Sequence, residues 1–361
     1  MRLLLLALLL VGCAAPAATP TAVPAAANPT PTTATAGTAA TTPTTAPSPT
    51  VAAPTATAAT ASVPAAAAAK PAVTPAKRLS VVATFSILGD LVKSVGGDRV
   101  EVALLVGPGQ DAHTFQPSPA DGAKLARADL FFENGLGFEG WLEELYRASG
   151  SKARRVVVTE GIAAQKGGQA HAEGEGEAGH THGEFDPHVW QDVRLASHMV
   201  GRIGEALAQA DPAGAALYKG NAERYQQELR ALDAWVVEQV QSLPEARRTL
   251  VTNHDSLGYF ASRYGFAILG TAMGGVSTEA SEPAAADLAK LIRRIKSAQV
   301  PAIFVENVAN PKLMERIARE AGVAVAPPLY TDALGPPGSP VDSYPKMVRH
   351  NVSTIVAALR A

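Results

Sequence analysis

DPAGAALYKGNAERYQQELRALDAWVVEQVQ, residues 211–241, is the longest unbroken helical pattern of the chain. Asp211-Pro212 restarts a helix after the preceding one, and Ala215, Tyr218, Ala222, Tyr225, Leu229, Leu232 and Val236 then recur at helical spacing. At 1.5 Å per residue, ~30 residues make a helix about 45 Å long, wider than a single lobe. A helix of that length in a globular chain joins two bodies, and joins them stiffly. Residues 211–242 are therefore the expected linking helix, with an N-terminal lobe over 78–210 and a C-terminal lobe over 243–361.

On either side the sequence alternates short apolar runs with amphipathic segments. Before the linking helix the runs are Leu79 to Phe85, Val100 to Val106, Leu130 to Phe132 and Arg155 to Val158. Helical patterns cover Ile87 to Val95, Ser118 to Ala126, Trp141 to Ala148 and Asp192 to Ala210, with Ser118 as a cap and Pro119 in the first turn. After it come strands at Thr249 to Thr252, Phe266 to Leu269, Ala302 to Val305 and Val323 to Ala326. Their helices are Ser256 to Tyr264, Pro283 to Ser297, Pro311 to Ala321 and Tyr344 to Leu359. Strands alternating with helices predict an α/β protein with parallel sheets covered on both faces.

The body spans 361 − 77 = 284 residues, more than one core usually serves. What precedes it differs in kind. Met1-Arg2 and the apolar run Leu3 to Val11 are too short to cross a bilayer, which needs about 20 residues, and fit a signal peptide over 1–12. Leu10-Val11-Gly12-Cys13 resembles the lipobox of bacterial lipoproteins, which implies cleavage before Cys13 and a lipid on it. Cys13 is the one cysteine of the chain, so an intrachain disulfide and a cysteine zinc site are both excluded. Residues 13–77 are nearly all Ala, Pro, Thr, Ser and Val, the composition of a disordered tether. Its ~64 residues reach roughly 200 Å if wholly polyproline-like. A formal net charge of −2 and few aromatics argue against nucleic acid as a partner.

Chemistry concentrates in the histidines. Gly179-His180-Thr181-His182-Gly183-Glu184-Phe185-Asp186-Pro187-His188-Val189-Trp190 carries three of the eight, with His171 just upstream. Residues 167–184 are Gly, His and Glu with almost nothing apolar. They are open to two readings, a loose cation collector using His171, His180 and His182 or a passive surface insertion. Asp186 to Trp190 holds a proline and bulky apolar residues that fix His188. His113, His188, His254 and Asp332 each lie in a loop past a strand's carboxyl end, two in each lobe, and that edge is where open α/β sheets bind ligands. Two facing lobes bring all four into one cleft. Three imidazoles and one carboxylate suit a four-coordinate zinc ion.

Five motifs occur together: Asp111-Ala112-His113-Thr114-Phe115-Gln116-Pro117-Ser118-Pro119, Asn134-Gly135-Leu136-Gly137-Phe138-Glu139, Asp186-Pro187-His188-Val189-Trp190, Asn253-His254-Asp255-Ser256-Leu257-Gly258-Tyr259-Phe260 and Asp332-Ala333-Leu334-Gly335. With them residues 79–361 resemble the metal-binding receptors of bacterial ABC importers for zinc and manganese, the cluster A-I solute-binding proteins. The resemblance implies two (β/α) lobes joined by one long helix and ligands at His113, His188, His254 and Asp332. It also implies an extracytoplasmic, lipid-anchored monomer on the cell membrane that hands its cargo to an ABC permease and its ATPase. Manganese-type members often carry glutamate at the third ligand, so His254 points to Zn²⁺, with Mn²⁺ the alternative. Imidazole ligation predicts affinity that falls in acid as the rings protonate near ~6.5.

Other functions and residues are weighed against this. A zinc hydrolase needs an open coordination position, which four protein ligands do not leave, and the chain has no His-Glu-x-x-His helix. An adhesin is a further reading, because some members of the family carry that label. Asp111, Asp186 and Asp255 flank ligands and are candidates to orient imidazoles or to cap loops. Glu306 ends a strand and could line the cleft. His198 and His350 read as structural, Trp141 and Trp190 as core, and Glu279 and Glu282 as loop and cap residues.

Overall fold

Leu79–Ala83 (β1), Val100–Leu104 (β2), Leu130–Glu133 (β3) and Arg154–Val157 (β4) form a parallel sheet in the order β2-β1-β3-β4. The computed structural model describes residues 78–167, 185–279 and 283–360. Cys13, the expected signal and tether, and His171, His180 and His182 lie outside them. In the two inner strands Val81, Val82, Ala83, Leu130, Phe131 and Phe132 are all buried, which is why these strands read as unbroken apolar runs. Helices Ser86–Gly96 (α1), Pro119–Arg127 (α2) and Leu142–Ser149 (α3) connect the strands. As expected, α2 starts on Ser118-Pro119, and Asp121 Oδ2 reaches back to accept from Ser118 N at 2.9 Å.

Val193–Ala210 (α4) precedes the linking helix Ala215–Gln241 (α5), 27 residues or about 40 Å long. Tyr218, Ala222, Tyr225, Leu229, Leu232, Val236 and Val240 form its buried stripe. Both ends are clamped by charge. Asp211 Oδ2 accepts from Arg99 Nε (2.9 Å), Arg99 Nη2 (2.7 Å) and Tyr218 OH (2.8 Å). Toward the other end Asp233 accepts from Arg263 Nη2 at 2.6 Å and Tyr264 OH at 2.9 Å.

The second lobe runs Thr249–Thr252 (β5), Gly258–Tyr264 (α6), Ala267–Thr271 (β6), Ala285–Ala298 (α7), Ala302–Glu306 (β7), Lys312–Ala321 (α8), Ala324–Leu329 (β8) and Tyr344–Arg360 (α9). Its strands form two parallel pairs, β5-β6 and β7-β8, with β5 beside β7. The sequence pattern ends β8 at Ala326, just before Pro327 and Pro328. The strand in fact continues to Leu329, and the register shifts between Phe304↔Ala326 and Glu306↔Leu329. Pro327 and Pro328 together face the single residue Val305, so the missing N–H groups fall in a bulge. α9 packs on β8 and also on α1 and α5, with Tyr344 OH donating to Trp190 O at 2.6 Å and Tyr344 N to Asp90 Oδ2 at 2.8 Å. One apolar cluster therefore runs unbroken from β1 through α4 and α5 to α9. Among the described residues no helix is long and apolar enough to cross a membrane.

Candidate metal centre

Each candidate ligand sits on a loop fixed by its own hydrogen bonds. Past β2, Asp111 Oδ1 accepts from His113 N at 2.9 Å, and the Trp141 indole donates to Ala112 O at 2.7 Å. His188 follows Asp186, whose Oδ1 accepts from His188 N (2.9 Å) and lies 2.8 Å from its Nδ1. Asn134 Nδ2 holds Pro187 O at 2.9 Å from the other side. Asn134 is placed by a tight turn in which Glu139 accepts from Thr84 Oγ1 (2.7 Å), Asn134 N (2.8 Å) and Gly135 N (3.1 Å). Burial pushes the Glu139 carboxyl up to about 7 against the pull of those donors. Gly135 is required in this turn: its φ is 85°, and a Cβ would come within 2.6 Å of Val157 Cγ1.

The second lobe supplies the other half. His254 follows β5, and its N donates to Glu306 Oε1 at 2.9 Å while its Nδ1 lies 2.8 Å from Glu306 Oε2. Asp332 follows β8. The residue before it, Thr331, donates its hydroxyl to Glu306 Oε2 at 2.7 Å and accepts at its carbonyl from Trp190 Nε1 and Gln191 Nε2, both at 2.8 Å. The lobes are also joined by Thr278 Oγ1 to Asp111 Oδ2 (2.6 Å), Gly109 N to Leu334 O (2.9 Å) and Leu334 N to Ser86 Oγ (3.0 Å).

These loops bring one ligand atom each from His113, His188, His254 and Asp332 within 4.8 Å of one another, all four residues buried. His113 Nε2 is 3.3 Å from His188 Nε2 and 3.6 Å from Asp332 Oδ2. Asp332 Oδ1 is 3.5 Å from His188 Nε2, and Oδ2 is 3.1 Å from His254 Nε2. Four ligands about 2.05 Å from a tetrahedral zinc ion stand about 3.3 Å apart, so the cluster has the size of such a shell. Phe138 and Trp190 wall it edge-on, at 4.8 Å from the His113 ring and 5.3 Å from the His188 ring respectively. On the side where the four residues meet, both Asp332 oxygens and His254 Nε2 are buried without an aligned hydrogen bond, despite the short contacts. Buried polar atoms left this way mark a place for a cation.

The charges agree. Burial disfavours the Asp332 carboxylate, yet His254 and His188 beside it hold its pKa well below the ordinary value. Burial likewise depresses His254, but Glu306 and Asp332 on either side outweigh it and raise the ring well above an ordinary histidine. His113 is lowered by burial, only partly offset by Asp332. Without cargo the site is thus a buried acid facing a readily protonated imidazole, the charge pattern that a divalent ion replaces.

Of the flanking acids, Asp186 meets an imidazole, Asp111 holds the backbone of its ligand, and Asp255 touches none of the ligand rings, its Oδ1 being buried and unpaired. His198 and His350 contact backbone carbonyls, Glu160 O at 2.9 Å and Pro328 O at 3.0 Å, as structural histidines do. Trp190 is buried in the core as expected, Trp141 is half-buried against it, and their indole N–H groups also pin loops that carry His113 and Asp332. A buried indole donor needs a partner, and that need was the available signal. Sequence reasoning placed Glu306 no closer than the cleft wall and gave no hint of Thr331 or Gln191. Glu282 lies outside the described residues.

Two α/β lobes spanned by one long helix, with three imidazoles and a carboxylate buried where they meet, define a metal-ion receptor of the solute-binding class. Comparison with known proteins supplies the family. Residues 81–358 match the family described as ZnuA, zinc-uptake complex component A periplasmic, and the chain belongs to it. It is 37% identical over 295 residues to the zinc-binding protein TroA of Treponema pallidum, covering 80% of this chain and 91% of that one. It is 34% identical over 281 residues to the manganese-binding lipoprotein MntA of Halalkalibacterium halodurans, covering 78% and 88%. The solved periplasmic zinc binding protein TroA from Treponema pallidum superposes with a TM-score of 0.69 at 36% identity, over 78% of this chain and 99% of that one. The chain is accordingly the metal-binding component of an ABC importer, which works with a permease and its ATPase, and it is not an enzyme.

Proposed function

We propose that the protein captures Zn²⁺ outside the cytoplasm through His113, His188, His254 and Asp332 and delivers it to the permease. The observation that carries this reading is the convergence, within 4.8 Å and out of solvent, of four side chains from loops far apart in sequence. Three nitrogen donors to one carboxylate favour zinc over the harder manganese ion. The lobes are 78–210 and 243–361, joined by 211–242, and the receptor acts as a monomer held to the cell membrane by a lipid on Cys13 with 13–77 as its tether. A Mn²⁺ receptor is the second reading, because relatives at 34% and 35% identity are named as manganese-binding lipoproteins.

The deciding experiment is elemental analysis of protein purified without added metal, followed by competition between Zn²⁺ and Mn²⁺. Zinc retained and preferred supports the proposal. Manganese preferred at equal free concentrations transfers it to the second reading. Deleting Gly167 to Gly183 lowers the number of zinc ions bound while sparing the tight site, if His171, His180 and His182 collect the ion loosely.

A further inference from the structure

Glu306, the last residue of β7, is 1% exposed, and the polar contacts of its carboxylate go to His254, Ser256 and Thr331. Oε1 accepts from His254 N at 2.9 Å. Oε2 accepts from Ser256 Oγ (3.0 Å) and Thr331 Oγ1 (2.7 Å) and lies 2.8 Å from His254 Nδ1. An ionised carboxylate offers lone pairs only. At that distance a bare Nδ1 would set lone pair against lone pair, so the proton of the neutral ring resides on Nδ1. With a cation between Nε2 and Asp332, which stand 3.1 Å apart, the ring gives up its Nε2 proton and keeps the one on Nδ1, beside Glu306. Asp186 performs the same office for His188, whereas Asp111 takes the backbone N–H of His113.

We propose that Glu306 is the specificity-determining positioning residue of this site, setting the tautomer and donor strength of His254 and so tilting selection toward zinc over manganese. The inference rests on His254 and Asp332 being ligands. A carboxylate on the Nδ1 side strengthens the ring as a donor at Nε2. Zn²⁺ stands well above Mn²⁺ in affinity for nitrogen donors and gains more from that strengthening. The added negative charge attracts both ions alike, so only the donor contribution discriminates. Ser256 and Thr331 hold the carboxylate against the ring, and Thr331 is itself held by Trp190 and Gln191 of the other lobe.

The test is competitive Zn²⁺ and Mn²⁺ titration of the full chain and of Glu306→Gln, with ¹⁵N imidazole spectra of the zinc-loaded proteins. The substitution is nearly isosteric, removes the charge and places an N–H donor beside Nδ1, favouring the tautomer that blocks Nε2. Zinc affinity is expected to fall roughly 10- to 100-fold. Manganese affinity falls less, and the His254 signals change. Equal losses for both ions with unchanged His254 signals, or no loss at all, overturn the inference. Should Glu306→Gln fail to fold, Ser256→Ala frees Oε2 from one donor and gives a smaller drop in the zinc-to-manganese ratio; an unchanged ratio overturns the inference. Asp332→Ala separates the two levels. Tight zinc binding that survives it sinks the ligand assignment, whereas its loss beside an unaltered ratio in Glu306→Gln sinks only the role of Glu306.

Discussion

Metal capture by this receptor is expected to expel a proton at neutral pH. In the metal-free site His254 lies between Glu306 and Asp332, 2.8 and 3.1 Å from its two ring nitrogens, and those acids raise its pKa well above the usual value. The ring is therefore charged at pH 7, and the ion must displace its proton. His113 is lowered and already neutral there, and Asp332 is lowered far enough to be ionised throughout. These three groups together release one proton. A raised imidazole favours the proton below its folded pKa, so affinity is greatest above that pKa and falls tenfold for each unit of acidification beneath it. Across the window from about pH 7.5 to about pH 6 affinity therefore falls, by at most about tenfold per unit for this one proton, or ~1.4 kcal/mol. A site of unperturbed histidines would start to weaken only near ~6.5. Calorimetric titration with zinc in buffers of different ionisation enthalpy reads the proton count directly. Proton release near zero at pH 7, with affinity flat across that window, refutes the charge balance. Glu306→Ala removes one flanking acid and should reduce the release.

Three further outcomes follow from the contacts. Thr278→Ala removes the interlobe hydrogen bond to Asp111 Oδ2 and should speed zinc release to a chelator about fivefold in stopped-flow, one hydrogen bond of ~1 kcal/mol. Gly135→Ala forces a Cβ against Val157 Cγ1 at positive φ and should lower stability by about 1–3 kcal/mol in urea denaturation, with Gly150→Ala, where a Cβ meets nothing within 4 Å, costing less. Asp211→Ala strips Arg99, Tyr218 and the Gly214 N–H of their shared acceptor and should cost about 1–2 kcal/mol, with little effect on metal affinity because the clamp lies at the far end of the linking helix.

Most elements were legible because their signals are local. The stripe from Tyr218 to Val236 marks α5 whatever it packs against, and Ser118-Pro119 marks the start of α2. The four candidate ligands were legible too, as histidines and an acid placed just past strand ends. β8 runs past its expected end at Ala326, since a strand that skips a residue in register can house Pro327 and Pro328 in its bulge. The Gly-rich turn at Asn134 announced itself as a motif, but its task of holding Pro187 O did not.

The α/β alternation, the long join between lobes and the inventory of candidate ligands can be read from the chain before it folds, because hydrophobic period, helix caps and side-chain chemistry are properties of neighbouring residues. Which carboxylates lie against which imidazoles emerges only from the folded chain. Glu306 reaches His254 from 52 positions away in the chain, and Thr331 meets Trp190 across 141. Contacts of that range leave no periodicity and no spacing rule behind. They exist because β5 and β7 lie side by side and residues of both lobes meet there, which places these buried partners around the candidate ligands.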